Sequence, residues 1–261
     1  MKKMLIGGML LACLVAIPFQ AVAQSAFDGT WKVDINQVRS AGKPMVTTLK
    51  NGVYTCDCTP PITVKADGMD HPVAGHARID SFAVSVVDDH TITETGKKAG
   101  AVVNVRTIRV APDGKTATFE STATRPEGSS TVKGTLARLT AGAPGSHAVA
   151  GAWKNTGYQS ASESMMSYTY KVDGDTVSMK DGQGESYTAK LDGKPVPYAG
   201  DPGTEMIAVK MDGKALEETA MRGGRATSGA RMSLSPDGNT MTTVILYKPS
   251  GREITLVAVK Q

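Results

Sequence analysis

The chain repeats itself, and that constrains its architecture more than any other feature. Phe27-Asp28-Gly29-Thr30-Trp31-Lys32 returns as Val149-Ala150-Gly151-Ala152-Trp153-Lys154. Lys65-Ala66-Asp67-Gly68, followed by Pro72, Ala74 and Gly75, returns as Lys190-Leu191-Asp192-Gly193, followed by Pro197, Ala199 and Gly200. Glu94-Thr95, Lys98 and Gly100 match Glu218-Thr219, Arg222 and Gly224. Pro112-Asp113-Gly114 with Thr116 matches Pro236-Asp237-Gly238 with Thr240. Four blocks in one order, at offsets of 122 to 125 residues, make an internal duplication.

Each copy starts at its Gly-x-Trp and ends in an apolar alternating segment, Thr135 to Leu139 in the first and Ile254 to Lys260 in the second. Ala141-Gly142-Ala143-Pro144-Gly145-Ser146 lies between them and has the small, Pro/Gly-rich composition of a linker. The expected units are a first β-domain over 24–140, a linker over 141–146 and a second β-domain over 147–261. Within each copy the hydrophobic period is two, as in Ser81 to Val87, and Val102 to Val110 and Met241 to Tyr247 are rich in β-branched residues. Asp-Gly and x-Gly pairs punctuate these runs at strand-length intervals, supplying the positive φ of tight hairpins. No stretch after the N-terminus has sustained helical periodicity with caps. Hairpin after hairpin without a crossover helix predicts an all-β fold, two tandem antiparallel meanders closed into barrels or half-barrels.

The N-terminus predicts export. Lys2 and Lys3 precede an apolar run from Met4 to Phe19, and Ala21-Val22-Ala23 offers a small-x-small cleavage site that leaves Gln24 first. A membrane anchor is the alternative, against which the run is short and interrupted by Pro18 and Gln20. Lipidation at Cys13 is another, but apolar residues continue past that cysteine. The expected location is periplasmic or secreted, with no integral membrane segment once residues 1–23 are removed. Their loss takes two lysines and no acids, so a formal charge of +4 becomes +2. No block of basic residues indicates a nucleic-acid partner.

Gly29-Thr30-Trp31 and Gly151-Ala152-Trp153, each on the first strand of a meander, resemble the Gly-x-Trp signature of lipocalins. Both copies more closely resemble the lipocalin-like repeats of uncharacterised exported bacterial proteins. Their pattern runs Gly-x-Trp-Lys, Lys-x-Asp-Gly, Glu-x-x-x-Lys-x-Gly and an Asp-Gly hairpin. The resemblance implies that each tryptophan plugs a barrel end beneath a basic side chain of the last strand. Taken copy by copy, that places Trp31 beneath Arg138 and Trp153 beneath Lys260. It implies no activity, because the repeats carry none that transfers.

Candidate chemistry is sparse. Cys56-Asp57-Cys58 suits a disulfide, although residues i and i+2 of a straight strand sit near the limit of bridging, so a local bend is required. Free thiols, a redox pair, or a soft-metal site completed by His71 or His76 are the alternatives. His90 follows Asp88-Asp89 and reads as a solvated turn residue, and His147 has no metal-ligand spacing. Glu94 with Lys98, matched by Glu218 with Arg222, reads as a cross-strand ion pair, with a ligand anchor as the sharper alternative. Ten of the 13 methionines lie beyond residue 23, mostly in the second copy, including Met165, Met166, Met179, Met206 and Met211. They suit an ordinary core or a permissive cavity. No catalytic constellation, metal set or cofactor motif stands out, and none is expected. The expected function is non-catalytic binding of a small apolar or amphipathic ligand inside a barrel. The alternative is a structural or interaction protein of the cell envelope with filled barrels.

Overall fold

Alternating burial shows how the β-rich runs fold. Met45 to Lys50 and Ser186 to Lys190 each turn every second side chain inward, the one-sided pattern of a strand with one face on a core. A computed structural model describes residues 26–261. The expected signal peptide, residues 1–23, and its cleavage site before Gln24 lie outside the described residues.

The described chain opens with β1 (Gly29–Val33), a 3-10 turn at Ile35–Gln37 and the short β2 (Arg39–Ala41). There follow β3 (Met45–Lys50), β4 (Val53–Cys56), β5 (Ile62–Lys65), β6 (His71–Pro72) and β7 (Ser81–Asp88). Long hairpins continue through β8 (Thr91–Lys98), β9 (Ala101–Val110), β10 (Thr116–Arg125) and β11 (Gly128–Ala141). The second Gly-x-Trp opens β12 (Gly151–Ala161), which leads into the single-turn helix α1 (Glu163–Met166). The remainder is β13 (Ser167–Asp173), β14 (Thr176–Asp181), β15 (Ser186–Lys190), β16 (Asp192–Pro197), β17 (Met206–Asp212), β18 (Ala215–Arg222), β19 (Arg225–Leu234), β20 (Thr240–Tyr247) and β21 (Arg252–Lys260).

These strands form two antiparallel, nearly closed, barrel-shaped sheets, as the all-β reading expects. In the first the order is β5-β4-β3-β12-β11-β10-β9-β8-β7-β6. In the second it is β15-β14-β13-β1-β21-β20-β19-β18-β17-β16, with β2 paired to β21 off that path. The second closes through reciprocal hydrogen bonds of 3.1 and 2.9 Å between Ser186 and Ala199. Closure removes the unpaired edges that such meanders would otherwise expose.

The sheets do not coincide with the two sequence copies. Each Gly-x-Trp strand sits in the sheet built by the other copy's hairpins: β12 lies between β11 and β3, and β1 lies between β21 and β13. The contiguous units 24–140 and 147–261 are therefore not the structural units. The first barrel is contiguous from β3 to β12, and the second is β13 to β21 completed by the N-terminal β1. The reason is chain proximity. Residues 141–146 are not an interdomain linker but a turn within one sheet, where Gly142 N donates to Ala150 O at 3.0 Å. That short turn delivers β12 to its immediate predecessor, a far smaller closure than one reaching back to the start of its own repeat. The chain actually passes between barrels at 42–44, after β2, and at α1.

The barrels also touch directly. Arg125 pairs with Glu185 at 2.6 Å and donates to Gly200 O, and Arg78 pairs with Asp201 at 2.8 Å. Tyr158, on β12, packs against both cores.

Candidate functional site

The Gly-x-Trp elements seal one end of each barrel in the same way. Trp31 and Trp153 are fully buried, and each indole donates to the carbonyl four residues earlier, Phe27 O at 2.9 Å and Val149 O at 2.8 Å. The closing cations are exchanged relative to the copy-by-copy expectation. Arg138 lies over Trp153, with its Cζ 4.2 Å from a ring centroid, and Lys260 lies over Trp31, with Nζ at 5.4 Å. Arg138 also donates to Ala150 O at 2.6 Å and to Gly114 O, tying the turn to the hairpin beside it.

The glycines of the motif are required by two separate constraints. Gly29 and Gly151 have φ of +132° and +141°, a region L side chains rarely enter. A Cβ would also meet Lys260 Cε at 2.7 Å on Gly29, and Thr140 O at 2.3 Å on Gly151. The closing cation can approach only because no side chain is there.

The first barrel, on its side facing the second, holds a cavity of about 300 Å³. The interior contributes Met45, Arg106, Phe119, Leu136 and Trp153; β12 adds Lys154 and Tyr158; the second barrel adds β2 and Arg252, and the segment joining the barrels adds Lys43. Four cations and no acid line it. Arg106 stacks over Phe119 at 5.1 Å and Arg252 over Tyr247 at 4.7 Å. Among the described residues, none of Lys43, Arg106, Lys154 and Arg252 makes an ion pair. Phe119 and Tyr158 meet edge to face, with centroids 6.3 Å apart, so the cavity joins unpaired positive charge to aromatic surface. None of these residues is a sequence candidate except Trp153. The cations come from β9, β12, β21 and the segment before β3, and no local pattern links them.

Each barrel also carries a carboxyl on its inner face. Glu94 is buried and accepts from Tyr54 Oη at 2.5 Å. Glu218 Oε1 accepts from Tyr170 Oη at 2.7 Å and from Tyr187 Oη. The cross-strand ion pairs expected with Lys98 and Arg222 do not form. Lys98 instead reaches Asp80 at 3.7 Å, and Arg222 reaches Glu205 at 3.7 Å. A register shift at Gly96/Lys97 and another at Ala220/Met221 separate each acid from its basic neighbour. Each acid and its expected partner also lie on one strand, β8 or β18, not across a turn, and four residues along a strand span about 13 Å. The recurrence of this acid in both copies was the available signal, and inward orientation explains it. Burial raises the Glu218 carboxyl above its ordinary value, and burial with the nearby carboxyl charges holds the Tyr54, Tyr170 and Tyr187 phenols well above theirs.

The second barrel's interior cavity, about 160 Å³, is lined by Glu218, Asp181, Tyr168, Tyr170, Thr243 and the thioethers of Met165, Met179 and Met232, among other groups. Cys56 and Cys58 are joined by a disulfide, their Cα atoms 5.2 Å apart. β4 ends at Cys56, so the chain has the bend a bridge between i and i+2 needs. His71 Nε2 lies 2.9 Å from Asp67, and His90 N donates to Asp88 in a turn. No group of three or more His, Cys, Asp or Glu positioned to hold a metal occurs among the described residues. No helix there is long and apolar enough to cross a membrane. No protein-family model matches this chain, and no curated protein matches it.

Proposed function

We propose that this is an exported, non-catalytic, lipocalin-like binding protein whose first barrel holds a small amphipathic anion. The observation that carries the reading is the cavity of about 300 Å³ with four cations, three aromatic side chains and no lining acid. Unpaired guanidinium groups bind carboxylate or sulfonate oxygens through charge-assisted, often bidentate hydrogen bonds. Arg106 is half-buried inside the barrel wall, where Coulomb attraction is screened less than at the surface. Phe119, Trp153 and Tyr158 offer apolar faces for the body of the same ligand. The anionic head group refines the expectation of an apolar or amphipathic ligand.

Calorimetric titration with octanoate, octanol and octylammonium tests this. Octanoate is expected to bind 1:1 and at least about tenfold tighter than octanol, a difference of about 1.4 kcal/mol. Octylammonium is expected not to bind there, and Arg106→Ala should remove the octanoate preference. Equal affinity for octanoate and octanol, or an unchanged preference in Arg106→Ala, would overturn the reading. Absence of binding by all three would favour the alternative of an envelope protein with filled barrels.

A further inference from the structure

We propose that the interior of the second barrel is a separate binding site for a small organic cation, an aromatic or short aliphatic amine. Glu218, Thr243 and Tyr168 would take the ammonium, and Met165, Met179 and Met232 the apolar body.

The lining is the electrostatic opposite of the first cavity. Glu218 and Asp181 line it, and no lysine, arginine or histidine does. Asp181 Oδ1 already accepts two backbone N–H groups, from Gln183 and Glu185, both at 2.9 Å. Glu218 Oε1 is occupied by Tyr170 and Tyr187. An acid held this way, with no cation across from it, presents net negative character to the space it faces.

The second observation is independent of the acids. Among the described residues, Thr243 Oγ1 and Tyr168 Oη are buried side-chain oxygens that lie within reach of each other and have no other hydrogen-bond partner. Both line this cavity, and Thr243 is only 6% exposed. A buried hydroxyl pair with no further partner is costly and rare in native proteins, so one beside a cavity points to an occupant. An ammonium has three donors and no acceptor, and two hydroxyl oxygens and a carboxylate are three acceptors. A carboxylate ligand would instead face Glu218 and Asp181.

The remaining surface sets the size and character of the body. Apolar cavities of about 150 Å³ take a benzene ring, and this one measures about 160 Å³. Thioethers adapt to irregular ligands and make favourable contacts with aromatic rings. The Tyr168 and Tyr170 rings, with centroids 5.8 Å apart, add faces that attract a cation. The two copies have thus diverged inside a shared fold: the recurrent inward acid remains in both, but the cations surround only the first cavity.

Titration of the full chain at neutral pH with benzylamine, benzyl alcohol and benzoate tests the site. Benzylamine, protonated at that pH, is expected to saturate at one equivalent and to bind at least tenfold tighter than benzyl alcohol. It should shift the methyl resonances of Met165, Met179 and Met232 in ¹³C-methyl-labelled protein. Glu218→Gln should cut benzylamine affinity at least tenfold and leave benzyl alcohol within about twofold. Equal binding of the amine and the alcohol, or an unchanged benzylamine affinity in Glu218→Gln, would overturn the proposal. If Glu218→Gln does not fold, the wild-type spectra decide: shifts confined to those three methionines support the site, and shifts elsewhere or none refute it. Octanoate binding at the first barrel is read from different residues, so either proposal can fail alone.

Discussion

Arg138 and Trp153 come from different copies of the repeat, yet the guanidinium carbon lies 4.2 Å from the indole centroid. Lys260 and Trp31, from the two ends of the chain, are matched in the same way at 5.4 Å. Double-mutant cycles should therefore show coupling of about 0.5–2 kcal/mol for Arg138 with Trp153. Arg138 with Trp31 should be additive. Replacing either tryptophan by Ala should cost more, ~3–5 kcal/mol, because a fully buried indole is lost. Chemical denaturation of the single and double variants measures all of these. Coupling of Arg138 to Trp31 instead would restore the copy-by-copy arrangement.

The exchange of strands predicts which fragments fold. Residues 39–161 contain every strand of the first barrel and should unfold cooperatively when expressed alone. Residues 147–261 lack β1 and its tryptophan, leaving β13 and β21 unpaired on facing edges. This fragment should show poor amide dispersion in NMR spectra. Adding a peptide covering residues 26–41 should restore a dispersed spectrum. Full dispersion of 147–261 without the peptide would contradict the observed closure.

Gly151→Ala should destabilise the protein sharply. A non-glycine residue held at positive φ costs of order 1–3 kcal/mol, and the added Cβ also meets Thr140 O at 2.3 Å. For a chain of this size each kcal/mol lowers the melting temperature by about 2–4 °C. Gly29→Ala should be milder in its contacts, since the atom met there is on the flexible Lys260 side chain. Calorimetry that found Gly151→Ala within a degree of the parent would count against this geometry.

Glu218 should make stability depend on pH. Burial raises its folded-state pKa above the ordinary value of a glutamate carboxyl. Its contribution is therefore fully present below the unfolded value and is lost as pH rises through the folded one. The slope from one such group reaches at most about 1.4 kcal/mol per pH unit. Tyr168, Tyr170, Tyr187 and Asp181 share its surroundings, so the comparison must be with Glu218→Gln, which keeps them all. Relative to that variant, the parent should lose stability as pH rises from about 4.5, and benzylamine should offset the loss. A parent-minus-variant difference that is flat with pH would show that the carboxyl titrates normally.

Local and periodic features were legible in the sequence. Period-two runs and Asp-Gly turns specify strands and hairpins without reference to distant residues, so the all-β architecture and its duplication could be read directly. The burial of Trp31 and Trp153 was expected only through the resemblance to lipocalins, in which the Gly-x-Trp indole plugs a barrel end.

Which barrel each tryptophan seals was not legible. The copies carry equivalent glycines, indoles and closing cations, so contiguous and exchanged pairings satisfy the same local contacts. Only the closeness of β12 to β11 along the chain, and the return of the C-terminal β21 to the N-terminal β1, choose between them. The inward acids were visible as recurrences but misread as ion pairs, since the sequence does not mark that each acid and its basic neighbour share one strand rather than flank a turn. The cations of the first cavity lie on three separate strands and one connecting segment, and the paired hydroxyls of the second stand on β13 and β20. Such groups acquire a common site only when sheet closure brings distant strands around one space.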